Sequence, residues 1–388
     1  MTDNARGEIR IVQEDDGNTK VSLDVDGTTV SWTFVVPMTI RIGESCVRMD
    51  GIGGVETLEE HRNQGYSRRV LHAALAHMLA GDAPLTTLYG IPDYYPRWGY
   101  ATVGSEGRMR LTRLDRDNEL LPGHSVRAAQ TGDLSRLRTI YDDATRHHIG
   151  PLVRYEGIAS WSTLARSIDD HADECRVVVD DTDEVLAYAW RASKCWWMDT
   201  RVREDPEGLH IGEAFAMTPS AADSLLAAAR QWAIETGKQH ADIHLPPLGV
   251  VGMSVRLQDA ANLSLTFRDA QFMGRSIGIS ALMSAIEPGL QARWARSAVA
   301  WTGNLVIRTA EDDAMIVITP DGLNVAPMDP ASEVVAVELT VGEVARLVLG
   351  SFSPVDLLDR IGVARDISDV LAILFPEQRP YIYPADRF

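Results

Sequence analysis

At 388 residues the chain is too long for one compact core and suits two or three domains. Apolar residues make up 45% and charged residues 24%, an ordinary globular balance, and no apolar run reaches the roughly 18 residues of a transmembrane helix. Acidic residues outnumber basic ones, 55 against 37, and the resulting charge of −18 repels nucleic acid and anionic membrane, so neither is an expected partner.

The first residues, MTDNARGE, have neither a basic start nor an apolar stretch, so no secretion signal is expected. Cys46, Cys175 and Cys195 are odd in number and widely spaced, without a CxxC pair. That argues against a disulfide framework and a thiolate zinc site, and it fits a reducing cytoplasm. Three blocks follow in chain order, at 1–122, 123–280 and 281–388. The first opens with alternating β-branched segments at Glu8 to Gln13, Val21 to Val25, Thr28 to Pro37 and Thr39 to Ile42. Short Gly-bearing turns separate them, which predicts an antiparallel meander. A glycine-rich stretch, Gly51-Ile52-Gly53-Gly54, leads into Val55-Glu56-Thr57-Leu58. Val70, Leu71, Ala74, Leu75 and Met78 then recur at helical spacing, predicting a helix from about Ser67 to Leu79. Strands at Leu85 to Tyr89 and Arg108 to Leu114 flank the aromatic segment Tyr94 to Tyr100.

The second block repeats this order. It shows a strand at Ser125 to Ala128, a helical stretch at Ile158 to Ile168 and a hairpin around Asp181-Thr182-Asp183. A strand at Glu213 to Met217, a helix at Ala221 to Thr236 and a strand at Ala241 to Leu245 complete it. In the third block, strands at Asn304 to Thr309, Ala314 to Thr319 and Val334 to Glu338 precede a helix capped by Thr340, with Glu343 as capping-box partner and Gly350 as its stop. Pro354 starts a further helix. The last residues, Pro380 to Phe388, read as extended.

The chemistry concentrates between Val55 and Val70. A strand ends, a basic turn with one glycine follows, and a helix begins. The backbone N–H groups of Gln64, Gly65, Tyr66, Ser67 and Arg68 stand at the helix start, where such groups lack helical acceptors and the dipole favours an anion. Gly65 allows close approach, and Arg62, Arg68 and Arg69 add positive charge to an acidic chain. These residues predict a pyrophosphate site, with an ordinary turn bearing solvated arginines as the alternative. A P-loop is excluded by the absence of GK[ST], and a Rossmann loop is disfavoured by the antiparallel meander before it.

Arg62-x-x-Gly65-x-Ser67 resembles the acyl-CoA loop of the GNAT acetyltransferases, with Ser67 in place of the last small residue. The run from Gly51 to Leu58 and the segment Tyr95-Pro96-Arg97-Trp98-Gly99-Tyr100 resemble the Eis (enhanced intracellular survival) branch of that family. The resemblance implies an α+β fold with two tandem GNAT units, each a mixed sheet flanked by helices, plus a C-terminal sterol-carrier-like α/β domain. It makes 1–122 the catalytic unit, 123–280 a degenerate second copy, and 281–388 the sterol-carrier-like domain that ends in the active-site tail.

It also implies an acetyl-CoA-dependent N-acetyltransferase, in which an amine attacks the thioester directly and no metal takes part. Val55, Glu56 and Thr57 would hold the pantetheine arm, and Arg62, Asn63, Gln64, Gly65, Tyr66, Ser67 and Arg68 the pyrophosphate. A thiol has a pKa of about 8.5 and a tyrosine about 10, so a placed tyrosine can protonate the leaving thiolate. The family match gives that role to Tyr95, with Tyr94 the nearest rival donor; on the residues alone, packing of Tyr94, Tyr95 and Trp98 under the sheet is the favoured reading. The α-carboxylate of Phe388 would be the base, with its low pKa of about 3.5 raised by burial. A frayed terminus is the alternative for that tail.

Two departures stand out. The strand Glu8 to Gln13 is followed at once by Asp15-Asp16-Gly17-Asn18 and the next strand, which leaves no room for the two helices usual in this family between its first two strands. Arg387 puts a positive charge beside the expected base, so specificity for a polycation is not carried over. The expected partner is a small-molecule or side-chain amine, and the expected assembly a homo-oligomer, a hexamer or else a dimer. The alternative function is a non-catalytic protein that keeps CoA or a lipid.

Overall fold

A computed structural model describes residues 7–115, 119–155, 159–170, 173–258, 261–265 and 270–388. Ile158, where the sequence predicts a helix start, lies outside them. The chain forms two compact units: Met1–Gly104, Arg268–Pro380 and Phe388 make up one, and Ser105–Phe267 with Tyr381–Arg387 the other.

In the first unit, β1 (Glu8–Gln13), β2 (Thr19–Val25), β3 (Thr28–Ile42) and β4 (Ser45–Thr57) form the expected antiparallel meander. The two strands predicted on either side of Pro37 are one continuous strand. Helix α1 (Tyr66–Leu79) follows, and among the described residues only a short 3-10 turn, Glu59–His61, precedes it as helix. Strand β5 (Leu85–Gly90) then pairs parallel to β4, from Met49↔Leu85 to Ile52↔Leu88. On the far side of β5 runs the antiparallel strand Gln271–Ser276, paired in turn with Ala101–Thr102. Alternation puts Val21, Leu23, Val35 and Ile52 on one face of the sheet, where they pack on Val70, Leu71, Ala74, Leu75 and Met78 of α1. Tyr95, Trp98 and Tyr100 extend that core.

The rest of this unit carries a smaller sheet in the order Gly322–Ala326, Asp313–Thr319, Gly303–Arg308, Val335–Glu338, with the last two parallel. Thr340 Oγ1 accepts from the Glu343 amide, and the Glu343 carboxylate accepts from the Thr340 amide, the reciprocal cap that the spacing predicts. Gly350 ends that helix at φ +68°.

The second unit holds two four-stranded sheets. Glu213–Ala216, Val185–Trp190, Cys175–Val179 and Ser125–Ala128 form one, fully antiparallel. Gly208–Ile211, His240–Ile243, Glu106–Leu111 and Ala261–Leu265 form the other. The strand predicted at Arg108 to Leu114 thus belongs here, while Gln271–Ser276, inside 123–280, pairs with β5. The helix Ile279–Ala295 runs across residue 280. Within Pro380 to Phe388, expected to be extended throughout, Pro384–Asp386 forms a 3-10 turn. Pro384 suits its first position because a missing N–H costs nothing there, and the Asp386 amide donates to Tyr383 O at 2.9 Å.

Candidate functional site

After β4, Asn63 and Gly65 take left-handed backbone angles, φ +63° and +80°, and turn the chain into α1. Gly65 occupies the N-cap without a side-chain hydrogen bond to the helix, and no acidic residue stands in the first turn. That turn itself therefore sets no carboxylate against an anion. A pocket of about 980 Å³ opens here. Of the residues the sequence assigned to a cofactor, it is lined by Val55, Thr57, Arg62, Asn63, Gln64, Gly65, Tyr66, Ser67 and Arg68. His61, His72, Ile91, Tyr94, Arg97 and Trp98 line it too; the sequence weighed Tyr94 as a packing residue or rival donor and Trp98 as a packing residue, and held Arg97 only as part of the aromatic motif. Tyr95 is on the same wall. Glu56 is not in the lining; its side chain is exposed and its carbonyl accepts from Ser31 Oγ at 2.8 Å.

The pocket adjoins the point where β4 and β5 part. Their parallel ladder ends at Ile52↔Leu88, whereas β4 runs on to Thr57. Against β3 the register shifts between Phe34↔Gly53 and Trp32↔Glu56, so β4 bulges, with Gly54 at φ +56°. Thr33 Oγ1 donates to Gly53 O at 2.8 Å and holds the bulge from one side.

The aromatic segment is fixed from below. Gly90 leaves the space that the Tyr95 ring fills, since a Cβ there would collide with it. Arg275 donates to the Trp98 carbonyl and pairs with Glu311 at 2.6 Å. Gly99, at φ +81°, closes the turn. Burial, and next the neighbouring Tyr94, push the Tyr95 hydroxyl up to about 12. The Tyr94 and Ser67 hydroxyls are hydrogen-bonded at 2.7 Å, which ties the aromatic segment to the first turn of α1.

Phe388 is ordered. Its ring lies over Gly51, where a Cβ would collide with it and with Met38, and it meets Tyr89 edge-on at 6.3 Å. Its carboxyl carbon lies 3.4 Å from the position a Cβ would take on Gly53. In the second unit, the preceding residues are held by charge. Arg154, fully buried, donates to Asp386 at 2.8 to 3.0 Å and pairs with Glu213. Arg387 pairs with Glu106. The helix Pro219–Glu235 shows why the second block lacks an anion cradle: Thr218 Oγ1 already accepts from the Ala221 amide at 3.2 Å, and Pro219 has no N–H to offer.

The residues suited to a metal converge once among the described ones. Asp205, His240 and Asp242 bring ligand atoms within 4.8 Å of one another. Arg110 Nη2 bridges this group, at 2.6 Å from Asp205 and 2.7 Å from Asp242, and Arg108 Nη1 lies 3.3 Å from Asp242, so two guanidinium groups already balance the two carboxylates. No helix among the described residues is long and apolar enough to cross a membrane.

Residues 5–103 match a family model described as an acetyltransferase (GNAT) domain. Solved structures share the fold along nearly the whole chain. A GCN5-related N-acetyltransferase from Kribbella flavida is 19% identical, with a TM-score of 0.70 over 96% of this chain and 89% of that one. One from Anabaena variabilis is 16% identical, with a TM-score of 0.69 over 95% and 89%. Eis1 from Mycobacterium abscessus is 15% identical, with a TM-score of 0.62 over 98% and 100%. No curated protein matches the sequence. The fold class is therefore that of the GNAT proteins, mixed sheets flanked by helices, with a GNAT domain at residues 5–103.

Proposed function

We propose that the chain is an acetyl-CoA-dependent N-acetyltransferase of the Eis type, with its catalytic unit in the first 122 residues. One observation carries the reading: a basic pocket at the uncapped start of α1 adjoins the place where two parallel strands separate. Arg62 and Arg68, with the first amides of α1, hold the pyrophosphate. Beyond Ile52, β4 has backbone groups to offer the pantetheine arm on the side that β5 has left. Val55 and Thr57 face that channel, while Glu56 contributes its main chain. An amide of the bulge polarises the thioester carbonyl as negative charge collects on its oxygen.

The acceptor nitrogen forms a bond to the acetyl carbon, the C–S bond breaks, and the nitrogen's proton passes to the carboxylate of Phe388. Tyr95 donates to the departing sulfur. Burial makes it a weaker acid than an ordinary tyrosine. It therefore serves as a hydrogen-bond donor to the sulfur as negative charge develops there on C–S cleavage. The motif resemblance stated above extends the proposal to a sterol-carrier-like block over 281–388 and a homo-oligomer.

Thiol release from acetyl-CoA against a panel of primary amines tests this reading. The native chain turns over; Tyr95→Phe and a chain extended by one residue after Phe388 are each slowed by about a hundredfold or more. Equal rates in all three remove the acid and the base. Saturable CoA binding without turnover on any amine leaves a binding protein instead.

A further inference from the structure

The face of the main sheet opposite α1 carries a second constellation. Val21, Val35 and Ile52 point into the core beneath α1. Alternation along each strand turns their neighbours Lys20, Phe34 and Gly53 the other way, and these three are partners in one row of the ladder. The next row on that face pairs Trp32 with Glu56. Lys20 Nζ stands 5.9 Å from the ring centroids of both Trp32 and Phe34, within cation–π range. The Phe34 ring comes within 3.3 Å of the Cβ position of Gly54. At Gly53 the same position lies 3.4 Å from the Phe388 carboxyl carbon and 3.8 Å from Val36 Cγ2. Two half-buried aromatic rings, one ammonium and the terminal carboxyl group thus gather around the bulge at which β4 leaves β5.

The geometry points to this face as the acceptor platform, and to the acceptor as a primary amine with a single positive charge on a flat aromatic or apolar body. This rests on the acetyltransferase reading above. Trp32 and Phe34 offer ring surface to the apolar body. The Phe388 carboxylate, with exposed Glu56 beyond Trp32, attracts the ammonium end, which gives one proton to solvent before attack and a second to that carboxylate as the amide forms. Lys20 already holds the cation position over both rings, so a second ammonium on the same molecule meets repulsion there. The platform therefore selects against polyamines.

Thiol release at saturating acetyl-CoA decides the matter, with 2-phenylethylamine, butylamine and spermidine as acceptors. In the native chain, kcat/KM for phenylethylamine exceeds that for butylamine by about tenfold or more. Phe34→Ala abolishes that ratio, Trp32→Phe keeps most of it, and Lys20→Gln raises spermidine relative to phenylethylamine. General damage to the fold lowers all three acceptors together and leaves the ratios unchanged. Should Phe34→Ala fail to fold, the shift in the spermidine ratio with Lys20→Gln still decides. Equal kcat/KM for the three amines in the native chain, or ratios unmoved in the variants, overturn the platform and spare the acetyltransferase reading. Turnover on no amine overturns both.

Discussion

A buried hydroxyl keeps its proton longer than an exposed one, and Tyr95 shows what that means for the proposed reaction. Its hydroxyl, raised to about 12 by burial and then by Tyr94, stays protonated across the whole working range. The pH profile of kcat is therefore expected to show no alkaline fall from this residue until pH approaches 12. A fall centred near 10, where a free tyrosine ionises, would place the donor elsewhere. Gly51 gives a second prediction. Gly51→Ala drives a methyl group into the Phe388 ring and Met38, and is expected to destabilise the fold by about 1–3 kcal/mol. Removing Phe388 in the same chain should recover part of that loss of melting temperature; an unchanged melting temperature in the single variant would contradict the packing. Tyr95 and the loop from Arg62 to Arg68 were legible in the sequence because they lie in short motifs. The reason for glycine at 51 and 53 was not, since it depends on a residue at the other end of the chain.

Elements that end in specific side-chain chemistry were also legible. Thr340 and Glu343 read as a capping box and form one; Thr340→Ala is expected to cost about 1 kcal/mol, measured by denaturant titration. Gly65 read as the residue that lets an anion approach the backbone, and its φ of +80° gives glycine a second reason to stand there. Gly65→Ala strains the backbone by roughly 1 kcal/mol, and it should raise the KM for acetyl-CoA more than it lowers kcat. Strand pairing was harder to read. Period-2 alternation marks the strand expected at Arg108 to Leu114, but it names no partner, and Gln271–Ser276 does not alternate and carries no such mark. Each of the two pairs with strands far away in sequence, which is why the units exchange segments that the blocks kept apart. The helix Ile279–Ala295 was missed at the block boundary because it contains Pro288. The helix Trp196–Glu204 is nine residues long, too short for an apolar period to stand out in the sequence.

At the scale of the whole molecule, buried histidines set the acid limit. Burial, and next the adjacent His210, hold the His244 imidazole well below the usual 6.5. Burial lowers His210 as well, and the two rings are hydrogen-bonded at 3.2 Å. With a depressed folded-state pKa, the unfolded chain binds more protons, so stability falls as pH drops below about 6.5. Melting temperatures between pH 7.5 and 5 should decline, and His244→Gln should flatten the slope; identical slopes would refute this source. The net charge of −18 makes nucleic acid an unexpected partner, and it makes a basic pocket the more informative feature. The account turns on that pocket. Calorimetric titration of coenzyme A into the full chain should give saturable heat at one site per chain. Replacing both Arg62 and Arg68 by alanine should weaken that binding by at least about tenfold. No heat, or an unchanged Kd in the double variant, would contradict it.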